Sequence, residues 1–206
     1  MKKKFITFEG PEGSGKTSVL RAVEKRLQER GIDVLTTREP GGIKISELIR
    51  NVILDVHNKE MDPRTEALLY AASRRQHIVE KICPALQEDK VVLCDRFVDS
   101  SLAYQGYGRE LGFETVFELN AFAINDYLPD LTIFIDVPPE IGLKRVFHNH
   151  RNADRLDLEN GTFHERVYKG YQEIIKKFPK RIKVVNGDRP LNEVVEDAMK
   201  LIDELE

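Results

Sequence analysis

Five short apolar runs alternate along the chain with longer segments in which apolar residues recur at helical spacing. The runs cover residues 4–8, 33–37, 91–94, 131–137 and 182–185. Short runs that are apolar without alternation are typical of strands buried on both faces of a parallel sheet. The pattern therefore predicts a three-layer α/β fold, with helices on both faces of a mainly parallel sheet of about five strands.

The segments between these runs predict helices. Val19, Val23 and Leu27 recur at helical spacing, and Asp62 before Pro63 is a typical N-cap followed by a first-turn proline. The predicted helices span 18–30, 45–54, 63–86, 113–127, 139–148, 163–178 and 191–205, with a further helical region from about 100 that is interrupted near 106–112.

The overall composition predicts one domain over residues 1–206, without repeats or linkers. A net charge of −3 disfavours nucleic acid or a membrane surface as a partner. No apolar run is long enough for a membrane span or a signal peptide. Cys83 and Cys94 lack metal-ligand spacing and are interpreted as buried thiols in a reducing compartment. We therefore expect a cytoplasmic enzyme.

The strongest motif lies between the first strand and the first helix. The segment GPEGSGKT at 10–17 fits G-x-x-x-x-G-K-[ST] at every fixed position, in the required strand–loop–helix context. Its backbone N–H groups and the helix N-terminus favour a bound polyphosphate. Lys16 would reach the β- and γ-phosphates, and the Thr17 hydroxyl would ligate Mg²⁺. The predicted ATP-binding residues are Gly10, Pro11, Glu12, Gly13, Ser14, Gly15, Lys16 and Thr17.

Further candidates follow the strands, because ligands of such sheets collect at the carboxyl ends of the strands. Asp95 and Arg96 leave the third apolar run, where P-loop enzymes often place a carboxylate near the metal; the alternative is a helix cap with a surface ion pair. Arg38 and Glu39 lie in a Pro-Gly-Gly loop at the same edge. Arginine suits bidentate phosphate binding there, and a solvated turn is the alternative.

Two helical faces carry the remaining candidates on the ligand side. Tyr70 and Arg74 share one face with His77, and a core role for the first two competes with a binding role. We interpret His77 and His164 as surface residues rather than ligands. A second face presents two hydrogen-bonding groups and an aromatic edge, from Ser101, Tyr104 and Gln105.

A charged segment with few large apolar residues, at about 148–160, indicates a mobile cover or lid. Arg145, Arg151 and Arg155 stand in or beside it. They are either solvated surface charge or arginines that reach a transferring phosphoryl group when the cover closes.

Several segments, taken in chain order, resemble the thymidylate kinase family. They are FEGPEGSGKT at 8–17, REPGG at 38–42, RTE at 64–66 with AASR at 71–74, DRF at 95–97, SSLAYQG at 100–106 and DRLD at 154–157. The resemblance implies a P-loop nucleoside-monophosphate-kinase-like fold. It also implies transfer of the γ-phosphoryl group of ATP to dTMP, with Mg²⁺, as a step of dTTP biosynthesis, by a protein that is usually a homodimer.

The resemblance also implies roles for individual residues. The dTMP phosphate and base edge would be held by Arg38, Arg74 and Arg96, with Arg50 nearby. Tyr70 would stack on thymine, Ser101 and Gln105 would meet the base, and Tyr104 would crowd the sugar 2′ position. The metal and its waters would be served by Thr17, Glu39 and Asp95. The predicted catalytic residues are Lys16, Asp95, Arg96, Arg151 and Arg155.

The phosphate loop points to one branch of the family. It carries Glu12 and Ser14 where another branch places a catalytic arginine, which matches the bacterial-type branch and moves that role to Arg151 and Arg155 of the cover. Residues 43–46 depart from a more usual Thr-x-Gly pattern. Tyr70 stands where phenylalanine is common, and we expect stacking to survive that change.

Three other functions compete with this interpretation. A kinase for UMP, CMP or AMP lacks support from the REPGG and SSLAYQG segments. A GTP-dependent switch would need an Asn-Lys-x-Asp motif, which the sequence does not contain. A DNA-dependent ATPase is disfavoured by the negative net charge.

Overall fold

The computed structural model describes residues 1–148 and 154–205, apart from the side chains of 146–148. In this part of the chain, five strands form one sheet of order β2-β3-β1-β4-β5, and every neighbouring pair is parallel. The strands are β1 (Phe5–Glu9), β2 (Val34–Arg38), β3 (Val91–Asp95), β4 (Leu131–Asp136) and β5 (Ile182–Asn186). The predicted α/β class and strand number are confirmed.

Helices connect the strands, as parallel pairing requires. They are α1 (Lys16–Glu29), α2 (Lys44–Leu54), α3 (Pro63–His77), α4 (Cys83–Gln87), α5 (Val98–Ser101), α6 (Phe113–Ile124), α7 (Pro139–His148), α8 (Gly161–Lys177) and α9 (Leu191–Asp203). Two π-helical segments, Ile78–Ile82 and Leu102–Gly108, continue α3 into α4 and extend α5. No helix in the described ranges is long and apolar enough to cross a bilayer.

Several helix boundaries follow from local chemistry. The Asp62 carboxylate accepts hydrogen bonds from the N–H groups of Arg64 and Thr65 at 2.9 and 3.0 Å, so the predicted N-cap of α3 is confirmed. The helix predicted at 113–127 is α6 in the structure, and its predicted end at 127 is wrong. It ends at Ile124, because Asn125 takes a positive φ of 51°.

The core lies on both faces of the sheet. One cluster packs α1 and α9 against the strands, and others pack α8 and the π-helical segments against the opposite side and the adjacent edge. Phe8 in β1 pairs with Asp95 in β3 and with Ile133 in β4. The strands therefore end at a common edge, and the loops after β1, β2 and β3 open onto the same space.

Three predictions about side-chain exposure are wrong, for His77, His164 and Cys83. His77 is buried because both ring nitrogens have partners, Thr37 Oγ1 at 2.7 Å and Glu39 Oε1 at 3.0 Å. His164 is buried as well, and its burial lowers its pKa. Of the two thiols predicted to be buried, Cys94 is buried and Cys83 is partly exposed.

Candidate active site

A cavity of about 540 Å³ opens at the carboxyl edge of the sheet. Its size is that of a small-molecule site. The predicted site residues that line it are Glu12, Gly13, Gly15, Lys16, Thr17, Arg38, Glu39, Arg50, Tyr70, Arg74, Asp95, Arg96, Ser101, Tyr104 and Gln105. The fold thus brings together residues from the loops after β1, β2 and β3 and from the helices α2, α3 and α5 with its π-helical extension.

The loop after β1 is shaped by glycines that no other residue could replace. Gly13 has a φ of 69°, and a Cβ there would lie 2.0 Å from the carbonyl oxygen of Gly142. Gly10 has a φ of 147°, and its Cβ would lie 2.5 Å from the carbonyl oxygen of Ile135. The chain can therefore wrap closely at this point, which leaves the N–H groups at the start of α1 available to an anion.

Lys16 is held in the centre of that loop. Its ammonium donates to the carbonyl oxygens of Gly10 at 3.1 Å and Pro11 at 2.8 Å, and the residue is 6% exposed. Burial, and next the neighbouring Arg96, lower the pKa of Lys16 to about 8. A polyphosphate beside it would favour the charged form.

Thr17 and Asp95 meet beside the loop. The Thr17 hydroxyl donates to Asp95 Oδ2 at 2.5 Å. A hydroxyl and a carboxylate are the hard oxygen donors that Mg²⁺ takes, usually together with substrate phosphates and waters. No group of three His, Cys, Asp or Glu side chains suited to a metal occurs in the described ranges.

Arg96 stands between the phosphate loop and the far side of the cavity. Its guanidinium donates to Gly10 O at 3.1 Å, Glu12 Oε1 at 2.5 Å and Tyr104 OH at 3.2 Å. The guanidinium carbon also lies 5.1 Å from the centre of the Tyr104 ring. One cation is thereby placed where two bound anions would approach each other.

Arg38 and Arg50 converge on one carbonyl group. Both donate to Pro40 O, at 2.8 and 3.0 Å, and Arg38 also donates to Glu47 at 2.8 Å. Burial and the charge of Arg38 lower the pKa of Arg50. Two like charges at close range favour a bound anion, so this corner of the cavity is suited to a negatively charged ligand.

Arg74 and Glu39 form the buried wall of the cavity. Arg74 Nε donates to Glu39 Oε2 at 2.8 Å, and its other nitrogens reach Ser101, Asn120 and the carbonyl oxygen of Phe97. The second Glu39 oxygen faces His77. This differs from the prediction for Glu39, because both carboxylate oxygens already hold side chains of α3 rather than facing the phosphate loop.

Arg155 is also placed differently from the prediction. It is 8% exposed, donates from Nε to Ile53 O at 2.8 Å and forms an ion pair with Glu66 at 2.5 Å. It does not line the cavity, whereas its neighbours Asp154 and Leu156 do. The buried carboxylate of Glu66 accounts for this placement. Arg151, the other predicted cover arginine, lies outside the described residues.

The remaining predicted residues lie in the cavity wall or in the phosphate loop. Tyr70 is partly buried in the cavity wall, and burial raises the pKa of its phenol. Gly10, Pro11 and Ser14 belong to the loop without lining the cavity. Arg145 lines the cavity and pairs with Asp188 at 2.7 Å.

Sequence reasoning missed the residues that support the site from behind. Glu9 is buried and accepts hydrogen bonds from Ser100 Oγ at 2.6 Å and Tyr171 OH at 2.8 Å, and both hydroxyl groups accept from Arg96. Asn120 and Glu66 are equally buried. Glu9 had a local signal, a carboxylate at the end of a buried strand directly before the phosphate loop, and Glu66 lies in the RTE segment that contributes to the family resemblance.

A parallel sheet of this order, a phosphate loop after its central strand and a cationic cavity opposite define a P-loop protein with a nucleoside-monophosphate-kinase-like fold. A family model described as Thymidylate kinase matches residues 8–198. The chain belongs to the thymidylate kinase family.

Individual relatives agree with this assignment. The chain is 58% identical over 199 residues to the thymidylate kinase of Oceanobacillus iheyensis, covering 96% of this chain and 88% of that protein. It is 55% identical over 195 residues to that of Clostridium novyi, covering 94% and 95%. The crystal structure of thymidylate kinase from Ehrlichia chaffeensis matches with a TM-score of 0.78 at 35% identity, covering 97% of this chain and 98% of that one.

Proposed function

We propose that this chain transfers the γ-phosphoryl group of ATP to dTMP and releases dTDP and ADP. A phosphate oxygen of dTMP forms the new bond to the γ-phosphorus, and the bond from that phosphorus to the bridging oxygen of ADP breaks. The observation that carries the proposal is one cavity that joins the phosphate loop to a cluster of arginines on the opposite side.

The donor nucleotide is assigned to the phosphate loop. Its backbone N–H groups and the N-terminus of α1 bind the phosphates, and Lys16 neutralises their charge. Thr17 and Asp95 would hold Mg²⁺, which would neutralise negative charge on the nucleotide phosphates. Glu39 serves the metal only indirectly in this arrangement, since its oxygens hold Arg74 and His77.

The acceptor nucleotide is assigned to the rest of the cavity. Arg38, Arg50 and Arg96 bind the phosphate. The first two converge on Pro40 O, and Arg96 lines the same cavity beside the phosphate loop. Tyr70 stacks on the base, and Tyr104 lies against the sugar. The base edge is met by Arg74, Ser101 and Gln105.

Catalysis in this site is a matter of charge and position. The attacking oxygen is already anionic near neutral pH, so a strong general base is unnecessary. Two unit charges 4 Å apart interact by about 4 kcal/mol at an effective dielectric of 20, and the two nucleotides carry several charges each. Lys16 and Arg96 offset this repulsion and hold donor and acceptor in line.

We propose that residues 1–206 act as one domain with a cover at about 148–160. Arg151 remains the predicted catalytic arginine of that cover. Arg155 anchors the cover instead, because it is tied to Glu66 and to the carbonyl oxygen of Ile53.

Further expectations are a cytoplasmic location, where both substrates occur, and a homodimer. The dimer is supported by large apolar side chains exposed on α3 and α6, Leu68 at 56% and Phe122 at 90%.

A panel of acceptors tests the proposed function. Purified protein with Mg²⁺ and ATP is given dTMP, dUMP, dCMP, UMP, CMP or AMP in turn, and release of ADP is followed. We expect dTMP to be the preferred acceptor. Preference for AMP, UMP or CMP would favour one of the other monophosphate kinases, and ATP hydrolysis stimulated by DNA would favour the ATPase interpretation.

A further inference from the structure

The buried carboxylate of Glu66 connects three separate parts of the molecule. The residue is 0% exposed and lies in α3. Its Oε1 accepts a hydrogen bond from Gln105 Nε2 at 2.9 Å. Its Oε2 accepts from Arg109 Nη2 at 3.0 Å and pairs with Arg155 at 2.5 Å. Gln105, which is assigned to the base, is thus held from behind by a charged group that does not line the cavity.

The charge state of Glu66 decides how Gln105 is oriented. Burial alone would raise the pKa of Glu66, but the hydrogen bond and charge of Arg109, together with the hydrogen bonds from Gln105 and Arg155, lower it below its usual value. An ionised carboxylate can only accept hydrogen bonds. The Gln105 side chain must therefore turn its NH₂ group towards Glu66.

The opposite end of the same amide is then available to a ligand. Gln105 is 1% exposed and lines the cavity. No described residue donates a hydrogen bond to its Oε1. This oxygen is also not one of the fully buried side-chain atoms that lack a hydrogen-bond partner. A base in the cavity therefore meets an acceptor at this position and not a donor.

We propose that Glu66 is a positioning residue for base selection, which fixes the Gln105 amide with its oxygen towards the base. This rests on the proposed function, with the base beside Gln105. Thymine and uracil carry an N–H at ring position N3, and cytosine carries a lone pair there. A fixed acceptor binds the first two and leaves two acceptors opposed with cytosine, which costs about 1–3 kcal/mol for a buried unsatisfied group.

The variant Glu66→Gln tests this orientation. Arginine only donates, and the shorter arginine contacts lie on Oε2, from Arg109 at 3.0 Å and Arg155 at 2.5 Å, against one from Arg109 at 3.2 Å on Oε1. The new amide therefore places its oxygen at the Oε2 position and turns its NH₂ to Gln105. Gln105 then flips and presents a donor to the base. We expect the ratio of kcat/KM for dTMP over dCMP to fall by about tenfold or more. The ratio for dTMP over dUMP stays unchanged, because both bases carry the N–H.

Two further variants separate orientation from loss of charge. Arg155→Gln removes a partner of Glu66 but keeps its carboxylate, so the dTMP over dCMP ratio should be retained even if the protein is less stable. The double variant Glu66→Gln with Arg155→Gln removes one charge of each sign. Its ratio of kcat/KM for dTMP over dCMP should fall as it does in Glu66→Gln. The double variant replaces Glu66→Gln in the test if that single variant does not fold.

A measurement on the unaltered protein completes the test. The side-chain NH₂ signals of Gln105, assigned by their loss in Gln105→Ala, should be protected from solvent exchange before any nucleotide is added. Unprotected signals would overturn the proposal. So would an unchanged dTMP over dCMP ratio in folded Glu66→Gln or double variant, or an equal loss in Arg155→Gln. Wild-type protein that leaves dTMP unconverted would instead contradict the proposed function.

Discussion

At the scale of single residues, a substitution of Lys16 tests the account of activity most directly. Replacement by alanine removes the ammonium group that, under the proposed function, faces the transferred phosphate, and we expect kcat to fall by about 10²-fold or more. Steady-state ADP release measures this. Lys25→Ala is a matched control, because Lys25 lies in the same helix with its side chain 78% exposed. A mild loss in Lys16→Ala would count against the assignment of the phosphate loop.

The lowered pKa of Lys16 also predicts a pH dependence. Because the group titrates at about 8 in the free protein, the ammonium form is lost as the pH rises through that value. The value of kcat/KM for ATP, which reports the free enzyme, should therefore fall above about pH 8. A flat profile between pH 7 and 9 would show that the loop lysine stays charged before ATP arrives.

Arg155 illustrates how a residue's role changes once its partners are known. The motif alone places Arg155 among the catalytic residues, and for such a residue Arg155→Ala reduces kcat more than dTMP affinity. The buried ion pair with Glu66 adds a second expectation, a loss of about 3 kcal/mol or more in the free energy of unfolding. Denaturant unfolding measures the loss, with Arg166→Ala at a more exposed position as the control. Wild-type stability in Arg155→Ala would contradict the anchoring role.

At the scale of elements, α3 organises the acceptor side, since Glu66, Tyr70 and Arg74 lie on it. Its first turn is capped by Asp62, so Asp62→Ala should lower the free energy of unfolding by about 1 kcal/mol. Urea unfolding measures this, with the exposed neighbour Glu60→Ala as the control. Equal stability of the two variants would show that the cap contributes nothing.

The strands and most helices could be predicted because their signals are local. Apolar runs mark the strands, and Asp62 with Pro63 marks a helix start. The two π-helical segments could not be predicted, because nothing in the local pattern separates them from α-helix. The hydrogen-bond partners of Arg74 could not be predicted for a different reason. Its partners Glu39, Ser101 and Asn120 come from three distant segments, which only the folded chain brings together.

At the scale of the whole molecule, the phosphate loop was recognisable because its spacing is fixed by the geometry of a bound phosphate. The acceptor side was recognisable as a set of residue types but not as an arrangement. The burial of His77 could not be predicted, because nothing in the local sequence indicates that its ring nitrogens bind Thr37 Oγ1 and Glu39 Oε1. Its burial is a property of the assembled fold.

The proposed homodimer is tested by its most exposed apolar side chain. Phe122 is 90% exposed on α6, so Phe122→Lys should disrupt the dimer. The mass in solution should then fall from that of two chains to that of one chain, 23.7 kDa. Sedimentation at several concentrations measures this, with Leu191→Lys on α9 as the control. A variant that sediments as the wild type does would place the interface elsewhere.

The central claim is that one cavity holds ATP on the phosphate loop and dTMP against the arginines opposite. Phosphorus NMR of ATP, dTMP and Mg²⁺ with catalytic amounts of the protein tests it directly. The account predicts that dTDP and ADP appear together in equal amounts, and that Lys16→Ala produces neither at a comparable rate. Loss of ATP to free phosphate while dTMP persists would contradict it.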